Sequence, residues 1–413
     1  MNKTVSLDEE RGALVIIDQT LLPHREELIF LTELEDIRDA IYSLKVRGAP
    51  AIGVTAAIGI YLEAVKIANR IIADSVRVGD TAGAGEGAAV GATDATASTG
   101  VTGAGSAGAG ASVHDLFMSG FRAAKNRLNS ARPTAVNLSW ALNRMERAAL
   151  ECVTREQAGD AQLQMGGARE RARDWLAAVV ACLKTECRLI MDEDTRVCAE
   201  LGIRGLELLK PGMGLLTHCN AGRLATASEY GTATAPIYLG HERGYGFKVY
   251  CDETRPLLQG ARLTAYELCA AGVDATLLCD NMAPSLMSAG MIDAVLVGCD
   301  RVAANGDTAN KIGTSYVAIA AKHFGIPFYV CAPSSTIDFA CADGKAIVIE
   351  QRPAAEVTKM WFNDRMAPEK VKVFNPSFDV TDADLITAII TEYGVASPPY
   401  RESLAALIPR NLP

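Results

Sequence analysis

In the second half of the chain, a series of short apolar runs each stops at a polar residue able to do chemistry. Residues 214–217 end at His218-Cys219, 248–251 at Asp252-Glu253, 275–279 at Asp280, and 294–297 reach Asp300 after Gly298-Cys299. Residues 328–331 follow, with Pro333 and Ser334 at their end. The segments between carry helical periodicity, and strands alternating with helices predict a parallel sheet. Such sheets bind ligands outside the carboxyl ends of their strands, so the run ends name candidate site residues in order, Cys219 and Asp300 foremost.

At 413 residues the chain exceeds the roughly 250–300 at which single cores stop growing, so more than one domain is expected. Its net charge of −9 argues against nonspecific nucleic-acid binding, which needs a basic face, while leaving room for a local pocket for one small anion. The 11 cysteines are scattered, without a CxxC pair, and Cys251, Cys269, Cys279 and Cys331 sit in apolar runs. That usage fits small core residues in a reducing compartment. The N-terminus MNKTVSLDEERG lacks the apolar core of a signal peptide. The uncharged stretch 48–62 is shorter than the roughly 20 residues of a spanning helix. The expected protein is intracellular and soluble, without a membrane partner.

Residues 14–18 and 28–31 read as strands, and Leu34, Ile37, Ile41 and Leu44 mark one helix face. Arg47-Gly48-Ala49-Pro50 breaks that helix, and a second runs to about Ile72. Residues 75–112 are Gly, Ala, Thr and Ser with almost no large apolar side chain, which predicts a disordered surface insertion. Helical patterning returns at 113–128, at 138–150 and from 156 to 209, with a possible second insertion at 164–168. The chain thus divides into a mostly helical N-terminal domain with a small β element, 1–205, and a Rossmann-like α/β domain, 206–413.

Cys219 lies in THCNAGRLAT between a strand end and a helix, where backbone amides and His218 would lower a thiol pKa. Such a thiolate could abstract protons or attack a carbon; a buried structural thiol is the alternative. Asp300 follows AVLVGC, and partial desolvation at that strand end would raise its pKa and suit a general acid; pairing with Arg301 is the bland alternative. Asn310 and Lys311 in NGDTANKIGT could hold a phosphate or sugar hydroxyls near a helix N-terminus. Arg255, Gln259 and Arg262 stand at another strand-to-helix junction, and Arg47 and Arg132 beside helix breakers. If those cations converge, the ligand is an anion, most simply a phosphate.

No GxGxxG follows a strand, which argues against a nicotinamide cofactor, and neither HExxH nor GxSxG is present. What remains is acid–base work on a small phosphorylated molecule with no cofactor and no metal.

The segments VRGAPAIG (46–53), RPTAVNLSWA (132–141), THCNAGRLAT (217–226), ETRPLLQGARLTAYEL (253–268) and GCDRVAANGDTANKIGT (298–314) resemble the methylthioribose-1-phosphate isomerases. These belong to the superfamily of the translation initiation factor 2B alpha, beta and delta subunits. The resemblance implies an aldose–ketose isomerase of methionine salvage, with Cys219 and Asp300 catalytic. By the same resemblance Arg47, Gly48, Ala49, Arg132, Gln259, Asn310 and Lys311 bind substrate. It also implies a homodimer, in the cytoplasm, with a nuclear pool in eukaryotic members. Two other readings compete: a non-catalytic regulatory subunit of the initiation-factor type, and an isomerase of ribose 1,5-bisphosphate. Cys299 and Arg223 depart from the family pattern, and Arg223 is large enough to crowd the pocket. Asp280, without a motif role, is expected to be structural. If 75–112 is a surface insertion, its deletion leaves turnover intact, and a large loss in a steady-state assay refutes that reading.

Overall fold

The computed structural model describes residues 2–82, 112–133, 135–159 and 167–409. Strands β1 (Val5–Asp8), β2 (Ala13–Ile17) and β3 (Leu28–Leu31) form an antiparallel sheet at the start of the chain. Among the described residues the helices α1 (Leu34–Tyr42), α2 (Ala49–Ala82), α3 (Val113–Asn129), α4 (Val136–Gly159) and α5 (Ala168–Leu206) follow. Helix α2 is the centre of this half. Ala51 through Ile60 are buried on every side by the neighbouring helices, as expected of a helix apolar all round. By length and composition it could cross a membrane, yet 78% of its most apolar window is buried inside the protein, which makes it a core helix.

The second half contains β4 (Gly214–Thr217), α6 (Ala235–Glu242), β5 (Lys248–Asp252), α7 (Ala265–Ala270), β6 (Asp274–Leu278), α8 (Ala283–Ser288) and β7 (Ala294–Val297). It continues with β8 (Arg301–Ala303), β9 (Thr308–Lys311), α9 (Thr314–Phe324), β10 (Phe328–Cys331), β11 (Ile337–Asp338) and α10 (Ala354–Thr358). The last elements are β12 (Phe378–Thr381), β13 (Ala388–Thr391), β14 (Gly394–Ala396) and α11 (Tyr400–Leu407). The main sheet has seven strands in the order β14-β13-β10-β7-β4-β5-β6, parallel except for β14. A smaller sheet, β11-β8-β9-β12, stands beyond the carboxyl end of β7.

Strand order reverses between β4 and β7. Successive strands run outward through β5 and β6 on one side, and through β10 and β13 on the other. Crossover connections diverge there and leave a crevice at the carboxyl ends. Cys219 follows β4 and Asp300 follows β7, so both stand at the mouth of that crevice. Helix α5 joins the halves. Its C-terminal end packs so closely on α6 that a Cβ at Gly205 would come 2.3 Å from Pro236 Cγ.

The apolar runs that read as strands are strands, and their parallel pairing follows from the buried alternation with helices. Several readings change. Leu44 lies beyond α1, in the left-handed region at φ 62°, and lines the crevice instead of the helix face. Helix α2 runs on to Ala82, since Ser75–Ala82 can extend a helix already anchored by its packed first turns. Ser112 accepts from the Asp115 N–H and caps α3. The insertion expected over 75–112 therefore has ordered ends, and its middle, like most of 164–168, lies outside the described residues. β13 has an apolar run, residues 388–390, that the sequence reading missed, whereas β1, β14 and the small sheet carry no apolar run strong enough to announce them.

Candidate active site

Cys219 is held in the left-handed region at φ 66°, uncommon for a residue with a side chain and frequent where a site over-determines its backbone. Its N–H donates to Thr254 Oγ1 at 2.8 Å, and its carbonyl accepts from Thr264 Oγ1 at 2.7 Å. Thr254 is itself left-handed at φ 65° and is pinned by Asp280, whose carboxylate accepts from the N–H groups of Thr254 and Arg255 at 2.6 and 2.7 Å. Asp280 thus acts through the loop that fixes Cys219.

Across the crevice, the Asp300 N–H donates to the Ala309 carbonyl at 2.9 Å, so the small sheet starts at the candidate acid. The β8–β9 hairpin returns Asn310 and Lys311 to the same place. Asn310 Nδ2 donates to Thr314 Oγ1 at 3.0 Å. Lys311 Nζ donates to the Ser377 carbonyl at 2.9 Å and lies 4.7 Å from the centre of the Phe378 ring. From the N-terminal half, buried Arg47 donates to the carbonyl of Asn220 through both terminal nitrogens at 3.0 Å, and to Asn220 Oδ1 at 2.6 Å. Gly48 follows at φ 95°, where a Cβ would meet Ala225 Cα at 2.5 Å. Arg132 enters from the α3–α4 connection, 3.8 Å from Glu350. Its Nε and Gln259 Oε1 are buried without a protein partner, two polar atoms that a ligand can satisfy.

Arg47, Gly48, Ala49, Arg132, Cys219, Gln259, Asp300, Asn310 and Lys311 all line one cleft of about 840 Å³, part of it open to solvent. The expected set is therefore assembled in full. Burial raises the Asp300 carboxyl pKa against the opposing pull of Lys311, Arg132 and Arg47. Burial lowers the Lys311 ammonium, with Cys219 and Asp300 opposing. The expected low thiol pKa is not found at Cys219. Burial raises it, and Lys311 and Arg47 only partly compensate. His218 does not reach the thiol to help, because its ring nitrogens are committed to Asp252 Oδ2 and the Ile312 carbonyl, at 3.0 and 2.9 Å.

Other arginines go elsewhere. Arg262 bonds the carbonyls of Gln19, Thr20 and Leu22 and packs on Trp361, tying the halves together, while Arg255 bonds the Val357 and Pro256 carbonyls. Arg223 lies over the Tyr238 ring and does not line the cleft, so it does not crowd it. Arg301 pairs with Asp338 at 3.7 Å, leaving Asp300 free of it. The sequence reading missed Arg352, Thr336, Ser377 and Phe378 in the lining. Arg352 could have been found, since Arg352-Pro353 repeats the Arg132-Pro133 signal. The others have no local mark. Among the described residues, His218, Asp252 and Asp280 place possible metal-ligand atoms within 4.8 Å of one another. The ring nitrogens of His218 are both engaged and Asp280 is taken by backbone amides, so the group does not fit a cation.

Residues 92–398 match the Initiation factor 2 subunit family. The chain belongs to that family. It is 54% identical to a methylthioribose-1-phosphate isomerase of Symbiobacterium thermophilum, over 98% of this chain and 96% of that one. It is 48% identical to a 5-deoxyribose 1-phosphate isomerase of Petrotoga mobilis, over 98% of both. The crystal structure of 5-methylthioribose 1-phosphate isomerase from Pyrococcus horikoshii matches with a TM-score of 0.76 at 35% identity, covering 98% and 96%. The delta subunit of translation initiation factor eIF-2B from A. fulgidus matches at 0.74 and 35%, covering 98% and 99%. This family fold carries the site where its two halves meet. Gly48→Ala would force a Cβ into Ala225 and should destabilise the protein by about 1–3 kcal/mol in urea unfolding. An unchanged midpoint would mean that the halves can separate there without cost.

Proposed function

We propose that this chain is an aldose–ketose isomerase that converts 5-methylthioribose 1-phosphate to 5-methylthioribulose 1-phosphate without a cofactor. The observation that carries this reading is the convergence of a half-buried acid, a half-buried thiol and three cations on one crevice between the halves. Arg47, Arg132 and Lys311 suit a phosphate, whose charge balances cations that are costly to bury alone. Apolar Leu44, Pro50 and Leu257 in the same lining suit an uncharged substituent at carbon 5 better than a second phosphate. That favours a methylthio or methyl end over ribose 1,5-bisphosphate, and the names of the relatives support both of the apolar ends.

An aldose phosphorylated at carbon 1 has no free aldehyde, so its ring must open with the phosphate in place. Asp300, whose carboxyl pKa burial raises, donates a proton to the ring oxygen. Cys219 serves the movement of hydrogen from carbon 2 to carbon 1, in a site where Lys311 and Arg47 favour anionic forms of both substrate and thiol. A regulatory subunit with the same fold has no chemical need for this acid–thiol pair. The reading includes a homodimer through the C-terminal half and action in the cytoplasm.

Asp300→Asn and Cys219→Ser should each lower kcat for ketose formation by roughly 10²–10⁴-fold with unfolding midpoints near wild type. Near-normal turnover in either variant would remove that residue from its role. Assayed side by side, the 5-methylthio and 5-deoxy substrates should both exceed ribose 1,5-bisphosphate in kcat/KM. The reverse order would transfer the assignment.

A further inference from the structure

His218 takes part in no step of that chemistry, yet it is fully buried with an acceptor at each ring nitrogen. Nε2 lies 2.9 Å from the Ile312 carbonyl oxygen, which only accepts, so Nε2 carries a proton. The 3.0 Å bond between Nδ1 and Asp252 Oδ2 needs a second proton, whichever atom owns it. A neutral imidazole beside an ionised carboxylate has one proton for both bonds. It would leave a nitrogen lone pair facing an oxygen lone pair in a dry site.

We propose that His218 is a positioning residue for the isomerisation: with its extra proton, the His218–Asp252 pair clamps the ends of β4, just before Cys219, and of β5 to the β9–α9 turn, just after Asn310 and Lys311. The inference rests on the isomerase reading for its kinetic consequence, not for the clamp itself. Ile312 follows Lys311 directly, so the bond to its carbonyl sets the height of Lys311 over the crevice. The ring packs on Gly313, where φ is 102° and a Cβ would come 2.8 Å from His218 Cε1. From the far side, Asp379 of β12 accepts from the Gly313 N–H at 2.8 Å and from the Ser315 N–H and hydroxyl. The turn is therefore held between two acidic residues, one acting through an imidazole that must stay protonated.

The charged and titratable groups around the ring are Asp252, Asp280, Cys219 and Lys311, with Asp379 behind the turn. Burial pulls the His218 pKa down, but the Asp252 bond and charge, the Ile312 carbonyl and Asp280 outweigh it, and the pKa is raised. The sign follows: a raised pKa keeps the proton to a higher pH than a free histidine would and releases it as pH rises through the raised value, so the clamp fails on the alkaline side.

Histidine-selective ¹⁵N NMR tests the clamp on the full-length protein, with His218 assigned by its loss in His218→Asn or His218→Gln. At pH 8, histidines near the ordinary value of about 6.5 are neutral, and His218 should show protons on both bonds. A bare Nε2 at that pH overturns the proposal, whatever the enzyme does. Asp252→Asn keeps an acceptor for Nδ1 but removes the charge, and Asp252 has its ion pair with His218, not with Asp300 or Lys311. It should move the alkaline limb of kcat/KM down by about one pH unit or more. An alkaline limb left in place at full activity overturns the positioning role. If Asp252→Asn does not fold, the NMR result decides alone. If no substrate is turned over, the isomerase reading fails while the clamp remains testable.

Discussion

The Arg47–Asn220 contact is the constraint on which the site depends. A buried guanidinium from the N-terminal half has both terminal nitrogens bonded to the backbone and side chain of the residue after Cys219, while its Nε has no protein partner. Burying an arginine is costly unless its donors are met in a fixed geometry, and here the meeting point is the strand-end turn of the other half. The contact therefore fixes the relative placement of the halves and the backbone of the thiol together. Asn220 is supported in turn by Thr264 and by Glu267, whose carboxyl is pushed up to about 7 by burial and also accepts the Leu224 N–H. Gly222 leaves room for that carboxylate, since a Cβ there would lie 1.4 Å from Glu267 Oε1.

Around this contact the crevice collects charge that none of its members could hold alone. Lys311 has its ammonium disfavoured by burial, as Asp300 and Cys219 have their anions disfavoured; Lys311 offsets part of the penalty on each of them and they on it, while Asp300 adds to the penalty on the thiolate. Such a cluster is poised. A small change in net charge, as when an anionic ligand enters, shifts every protonation equilibrium in it. The direction matters for chemistry, because a raised pKa makes a carboxyl a better general acid near neutral pH than an ordinary surface aspartate. Preparation of the site by burial, not by a low-pKa thiolate, is the physical difference between this crevice and the one that strand-end position alone suggests.

The positions of these groups are set by backbone strain and loop bonds remote from the cleft. Cys219 and Thr254 are both left-handed, and Asp280 and Thr264 hold them there. The small sheet does the same for Asn310 and Lys311 by pairing β9 with β8 and β12. Two unrelated devices, a strained turn and an inserted sheet, deliver the opposite walls of one pocket.

The sequence alone determined the strand ends. Short apolar runs that stop at His218-Cys219, Asp252, Asp280 and Asp300 and alternate with helices call for a parallel sheet, and the crevice then lies at its carboxyl ends. Strand-end position did not rank the polar residues there; Cys219, Asp300 and the binding residues were singled out by the resemblance of the segments around them, and the structure gathers them in one cleft. Tertiary structure decided what each polar residue does there. Asp252 and Asp280 stand at equivalent strand ends, yet one pairs with His218 and the other with backbone amides. Arg255 and Arg262 look like ligands for an anion in the sequence, but carbonyls from distant segments claim them. The thiol pKa reversed sign for the same reason. Desolvation depends on everything packed around a group, and the helical half that covers Cys219 is more than a hundred and fifty residues away in the chain, at Arg47.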